Sequence, residues 1–345
     1  MAPAAFITGI SGPSLSSDER AFLREADPWG LILFKRNVQD PAQVTALTRS
    51  FRELLGRDVP VLVDQEGGRV QRLSPPHWPA YPPGITYGRL YDRDPEIGKA
   101  AARLAARLIA ADLHAVGIDV DCLPLADVPV VEADPVIGDR AYGQAPDKVS
   151  QVAAEVGAGL LSGGVLPVLK HIPGHGRATA DSHAKLPVVD TDRATLERTD
   201  FAAFRPLVGL PTAMTAHVVF TVIDPLAPAT TSATIISQVI REAIGFQGLL
   251  MSDDVSMGAL SGTISERTRA ALAAGCDIVL HCNGHLGEMQ EVAAAAVRLA
   301  GDAERRAADA LAQRRRPDEI DMVAARKQFA ALLAGVESDA RTLSS

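Results

Sequence analysis

One unit recurs along most of this chain: a short β-rich apolar run that ends in a polar residue, then a loop, then a helix with apolar residues three and four apart. Such alternation builds a parallel sheet, because neighbouring strands that point the same way need a crossover between them and a helix supplies it. Seven runs are clear, at 30–34, 59–63, 118–125, 165–169, 212–216, 248–251 and 277–280, and 4–10 is a candidate eighth.

The helices between them carry their own start and stop signals. Asp40-Pro41 is an N-cap followed by an N1 proline, and Val44, Leu47, Phe51 and Leu54 share the face that follows. Asp94-Pro95 repeats the device and opens a long helix, for which we expect a stripe of Ile97, Ala101, Leu104, Leu108, Ala111 and Ala115, ended by Gly117. A third helix presents Val149, Val152, Val156 and Leu160. The Ala- and Arg-rich stretch 291–333 reads as helices packed on the outside of the sheet, with Arg314-Arg315-Arg316-Pro317 as a helix end and a solvated turn.

Polar groups recur at one end of the runs: Lys35-Arg36, Asp64, Asp127, Lys170-His171, His217, Asp253-Asp254 and His281. In a (β/α)8 barrel the C-terminal ends of all strands converge on one mouth, so these distant residues would line a single pocket. A doubly wound sheet is the competing α/β fold, but its Gly-x-Gly-x-x-Gly after the first strand is missing. We therefore expect a single TIM-type barrel spanning residues 1–345, with no second domain. The length fits, since 345 residues make either two average domains or one barrel with insertions.

Composition narrows the partners. Hydrophobic residues are 47% and charged residues 22% of the chain, the balance of a globular core rather than of a disordered segment. Lys+Arg 34 against Asp+Glu 42 gives a formal net charge of −8, which argues against nucleic acid and against anionic membrane surfaces. Three cysteines without Cys-x-x-Cys spacing suit a reducing compartment, and the N-terminus shows no basic start or apolar core of an export signal. The expected location is the cytoplasm.

The segment from Lys170 through His171, Ile172, Pro173, Gly174 and His175 to Gly176, followed by Asp181-Ser182-His183, puts charge, glycine and proline directly after an apolar strand. Asp181 and His183 are two apart, so in a tight turn the carboxylate can orient the imidazole and raise its basicity, making an acid/base dyad. The rival reading is a metal site from His171, His175, Asp181 and His183, but the spacing matches no standard zinc motif, and we expect no metal. Ser252-Asp253-Asp254 sets a carboxylate where a barrel presents a nucleophile or general base. One of these aspartates can face the pocket while the other holds the loop or a sugar hydroxyl; spacing alone does not assign them. Asp64-Gln65-Glu66-Gly67-Gly68-Arg69-Val70-Gln71-Arg72 turns sharply on two glycines beneath carboxylates and arginines, a pairing suited to polyol recognition, and Gly138-Asp139-Arg140 offers a further arginine. Cys276 and Cys282 flank an apolar strand and read as small core residues, and His217 as a hydrogen-bonded wall residue.

Taken together, the segments Asp64–Arg72, Lys170–Gly176, Asp181–His183 and Ser252–Asp254, in this order, resemble glycoside hydrolase family 3, and more closely its NagZ-type β-N-acetylglucosaminidase branch. The resemblance runs from about residue 30 to 281 and implies a (β/α)8 barrel. In the β-glucosidases of family 3 the acid/base is a carboxylate from a second domain, whereas this branch carries a histidine on a mobile barrel loop. One departure is Ile172, where the family usually has phenylalanine. The resemblance implies Asp253 as nucleophile, His183 as acid/base and Asp181 as its orienting partner, with Asp64, Arg72, Arg140, Lys170 and His171 holding the N-acetylglucosamine.

It further implies a retaining exo-hydrolase without cofactor, removing terminal N-acetylglucosamine from anhydro-N-acetylmuramic acid peptides, the muropeptides of cell-wall recycling, through a covalent glycosyl-enzyme. Three other readings stay open: a phosphorylase of the same branch, a non-catalytic sugar-binding module, and a metal-dependent hydrolase.

Overall fold

The structure is a computed structural model that describes residues 2–182 and 185–342, with side chains as far as residue 334. Its strands, in chain order, are β1 (Ala4–Thr8), β2 (Pro28–Leu33), β3 (Val61–Val63), β4 (Gln65–Gly67), β5 (Val70–Gln71), β6 (Val120–Asp121), β7 (Leu166–Ile172), β8 (Val188–Val189), β9 (Thr212–Thr215), β10 (Val219–Phe220), β11 (Leu249–Asp254) and β12 (Ile278–His281). Eight of them, β1, β2, β3, β6, β7, β9, β11 and β12, pair in parallel with the next in sequence, and β12 closes on β1, giving a barrel. The run at 4–10 is thus the first barrel strand. Two small sheets, the β4/β5 hairpin and the β8/β10 pair, lie outside the barrel strand order.

The helices are α1 (Ser17–Ala26), α2 (Pro41–Leu55), α3 (Gly84–Arg93), α4 (Pro95–His114), α5 (Pro146–Ser162), α6 (Arg193–Arg198), α7 (Asp200–Phe204), α8 (Ile264–Ala274), α9 (Leu286–Ala295), α10 (Gly301–Ala312) and α11 (Met322–Thr342). A π-type helix, Ile235–Ile244, completes the crossover between β9 and β11. Asp40 and Asp94 cap α2 and α4 as expected, each accepting from backbone N–H groups of the first turn. None of the helices among the described residues is long and apolar enough to cross a membrane.

Side chains pointing into the barrel form one core, among them Ile7, Trp29, Ile32, Leu62, Val120, Val168, Leu249 and Ile278. Those on the outer face join the helices in a second, larger core. The first core also contains Leu299, Ala307 and Ala310, so α10 and the chain leading to it lie across the N-terminal end of the barrel. Ion pairs fix α10 there: Arg306 Nη1 to Asp277 (3.0 Å), and just beyond the helix Arg314 Nη1 to Asp119 (2.7 Å), both aspartates standing just ahead of barrel strands. Meanwhile α11 packs on α3 and α4 at the outside.

Two details differ from the sequence expectation. Arg314 is no member of a solvated turn; its partners Asp119 and Asp58 hold it, and neighbouring Arg315 donates to the Leu161 carbonyl. In α4 the buried residues include Ala101, Ala102, Ala105, Ala106, Leu108, Ile109, Ala110 and Leu113, while Ile97 and Ala115 are exposed. That helix is flanked by α3, α5 and α11, and its alanines let neighbours approach on several sides, so its buried surface is broader than one stripe and turned from the expected one.

Candidate active site

The mouth at the C-terminal end of the barrel holds a cavity of about 400 Å³. Its lining includes Asp64, Arg72, Arg140, Lys170, His171, Asp181 and Asp253, seven of the eight residues singled out from the sequence, which come from five separate segments of the chain. The eighth, His183, lies outside the described residues. Several of these groups are not beyond the strand ends but on them: β7 runs on through Lys170 and His171, and β11 through Asp253 and Asp254, with a register irregularity in each before its end. Pairing to β9 and β12 continues past the apolar run, so backbone hydrogen bonds fix these polar positions.

On one wall, charge is matched closely. The Lys170 ammonium is 2% exposed and bridges Asp64 (3.0 Å) and Glu66 (2.6 Å). Arg72 meets the other oxygen of Asp64 at 3.0 Å, and Arg140 grips Glu66 with two parallel bonds of 2.8 Å. Burial raises the pKa of both carboxyls, but the adjacent cations win: Asp64 falls far below the usual carboxylate range, and Glu66, beside Arg140 and Lys170, to about 2. Burial opposes the charge on Lys170 too, and Glu66 with Asp64 overcomes it, raising its pKa. The wall therefore stays ionised across the physiological range, with fixed donors and acceptors of the kind that read sugar hydroxyls.

Asp127, fully buried, is a second hub. Its Oδ2 accepts from His171 Nδ1 at 2.7 Å, and its Oδ1 accepts from the His175 backbone N–H at 2.7 Å. Burial works against its charge, and the neighbouring imidazole of His171 more than compensates, leaving its pKa at about 2. With Nδ1 so engaged, His171 turns its other nitrogen away from Asp127.

Across the cavity, Asp253 Oδ1 accepts from the Asp254 backbone N–H at 2.8 Å. The two aspartates divide their work: both line the cavity, but the Asp254 carboxylate accepts from Ser256 N–H (3.0 Å), Ser256 Oγ (2.6 Å) and the Cys282 N–H (3.1 Å), which ties the loop after β11 to the end of β12. His217 is the wall residue expected, fully buried between Thr230 Oγ1 (2.7 Å) and the Asp254 carbonyl (2.9 Å). Cys276 is in the core, whereas Cys282 lines the cavity, because the strand between them ends at His281 and hands the chain to the mouth. The described residues contain no group of three or more His, Cys, Asp or Glu side chains that would hold a metal ion.

Sequence reasoning passed over Glu66 as a site residue although it stands inside the quoted Asp64–Arg72 segment; its role depends on Arg140, 74 residues away. Asp127 was visible only as one more polar group after a strand. The apolar part of the lining, Phe34, Met214 and Met257 among it, carried no signal at all.

The comparisons with known proteins agree on what this arrangement belongs to. The glycosyl hydrolase family 3 N-terminal domain matches residues 8–314. A beta-hexosaminidase of Alkalilimnicola ehrlichii is 42% identical over 279 residues, covering 80% of this chain and 79% of that protein. One of Nitrosomonas eutropha is 38% identical over 278 residues, covering 79% of each. Among solved structures, NagZ from Neisseria gonorrhoeae in complex with N-trifluoroacetyl-D-glucosamine superposes with a TM-score of 0.84 at 31% identity, covering 97% of both chains. The beta-N-acetylhexosaminidase of Beutenbergia cavernae gives 0.74 at 26% identity, covering 96% of this chain and 93% of that one. With its barrel, its charged mouth and these relatives, the chain belongs to glycosyl hydrolase family 3.

Proposed function

We propose that the protein is a retaining exo-β-N-acetylglucosaminidase that removes a terminal β-linked N-acetylglucosamine. The observation that carries this reading is the shared cavity: Asp253 and Asp181 line it together with a wall of ionised, mutually held hydrogen-bonding groups. The relatives named beta-hexosaminidase support the N-acetylhexosaminide, and the glucosamine derivative bound to the Neisseria protein supports the gluco configuration.

In this reading Asp64, Arg72, Arg140, Lys170 and His171 hold the sugar. Asp253 attacks the anomeric carbon as the bond to the leaving oxygen breaks, and His183, oriented by Asp181, gives that oxygen its proton. Deprotonated His183 then takes a proton from water, whose oxygen displaces Asp253 and restores the β configuration. An imidazole replaces the second carboxyl of the usual pair, and when neutral it does not repel the anionic Asp253. We assign muropeptides bearing N-acetylglucosamine on anhydro-N-acetylmuramic acid, in cell-wall recycling in the cytoplasm, as the natural context.

The test is release of p-nitrophenol from its β-N-acetylglucosaminide, with chelator present and with phosphate absent or added. Phosphate-independent release, with proton NMR showing the β anomer first and Asp253→Ala at background, is the expected result. Phosphate stimulation with a sugar phosphate product makes the protein a phosphorylase, and wild-type activity in Asp253→Ala removes the nucleophile assignment. Conversion of a muropeptide to free N-acetylglucosamine, followed by mass spectrometry, tests the natural substrate.

A further inference from the structure

His175 belongs neither to the sugar-holding wall nor to the acid/base pair proposed above, yet it is buried between them. Its backbone N–H donates to Asp127 Oδ1, the carboxylate that also orients His171. Its ring centroid is 5.7 Å from that of His171, and its Nε2 stands 3.1 Å from Ser182 Oγ. Ser182 is itself buried, and its carbonyl accepts from the Ala259 N–H at 3.1 Å. In sequence, Ser182 is the residue between Asp181 and His183.

We propose that His175 is a positioning residue that acts through Ser182 to hold the adjoining Asp181, the partner assigned to the acid/base, in register with the bond being cleaved. The proposal rests on the acid/base reading of that pair. A buried histidine serving only to fill space would be a poor choice here, since an aliphatic side chain fills the same volume without desolvating two ring nitrogens. Among the described residues only one of those nitrogens is satisfied: Nδ1 is buried with no hydrogen-bond partner there, so among them the side-chain bond that repays the burial is the bond to Ser182. Burial and the neighbouring His171 lower the imidazole to about 4 against the pull of Asp127 and Asp253, so the ring is neutral at neutral pH. The tautomer with Nε2–H donating to Ser182 Oγ leaves a bare lone pair on Nδ1, whereas the other strands an N–H, the rarer arrangement in protein interiors.

Anchored by its side chain to His175 and by its carbonyl to Ala259, Ser182 is fixed at two points, and Asp181 is the residue joined to it. One hub, Asp127, thereby sets both the sugar-binding imidazole of His171 and, through His175, the turn that carries Asp181. A displacement of about 1 Å in such a group costs on the order of 10²-fold in rate.

Ser182→Ala removes the bond with little change in volume, and His175→Ala removes it from the other side. Rates are measured on aryl β-N-acetylglucosaminides of graded leaving-group acidity, with Asp181→Ala as reference. The expected result is kcat/KM down by roughly 30- to 100-fold on the phenyl substrate and by less than about 3-fold on the 2,4-dinitrophenyl substrate, with inhibition by free N-acetylglucosamine unchanged. The double variant should be no worse than either single one, and His175→Gln, whose amide can still donate to Ser182, should recover most of the loss. Equal losses on every leaving group, losses that multiply in the double variant, or weakened inhibition by the sugar overturn the proposal. If Asp181→Ala depends on the leaving group and Ser182→Ala does not, the proposal falls and the function stands. If neither does, the acid/base reading fails as well. Ser182→Ala decides the matter even where His175→Ala does not fold.

Discussion

Glu66 is an acceptor with two cationic partners and almost no contact with water. Replacing it by glutamine leaves Arg140 buried without its anion and Lys170 with Asp64 alone, and we expect Glu66→Gln to destabilise the fold by about 3 kcal/mol and to raise KM. The pH dependence has a definite sign. The carboxyl sits at about 2 in the folded protein against an ordinary 4.5, so the unfolded chain takes up its proton first. Its contribution is fully present above about pH 4.5 and is lost as the pH falls towards 2. Urea unfolding at pH 7 and pH 3 should show the gap between the wild type and Glu66→Gln narrowing at the lower value. The sequence disclosed the carboxylates and cations of this cluster but not their pairing, since Asp64 and Glu66 are two apart and either is within reach of several partners.

At the scale of elements, the segment after β7 shows why the mouth is so specific about backbone. Gly176 lies against the Val128 carbonyl: a Cβ there would stand 2.1 Å from that oxygen. The same contact is stitched by Val130 N–H to the Gly176 carbonyl (3.1 Å) and Asp134 N–H to the Ala178 carbonyl (2.8 Å), which joins this loop to the one leading to Arg140. Gly176→Ala should cost about 1–3 kcal/mol of stability, read by calorimetry, and also weaken inhibition by N-acetylglucosamine, because Val136, Ile137 and Arg140 line the cavity from that arm. Caps and strand periodicity were legible because they are local: Asp40, Asp94 and the run at 4–10 announce themselves within a few residues. The buried surface of α4 was not, because alanine is neutral about which side faces inward and the choice belongs to α5, α3 and α11.

For the whole molecule, topology did most of the collecting. Once the strands close in sequence order, Asp64, Lys170 and Asp253 must share one mouth, which is why seven of the residues chosen from the sequence meet although 189 positions separate the first from the last. What α10 covers was hidden, since an alanine-rich amphipathic helix reads the same whether it lies along the barrel or across its end. Its place predicts a separation of labour: Arg306→Ala, which takes one of its two arginines from Asp277 and leaves Arg241, should lower stability by about 1–2 kcal/mol while leaving kcat/KM within about 2-fold, checked by thermal melts and aryl-glycoside kinetics side by side. The same closure governs traffic. With the barrel interior filled by its own core, the cavity is closed from below, so in the proposed hydrolysis a glycan enters tip first and the severed portion backs out before a water molecule takes its position. On that reading the aglycone leaves ahead of the sugar, and added aglycone should slow turnover even when substrate saturates the enzyme.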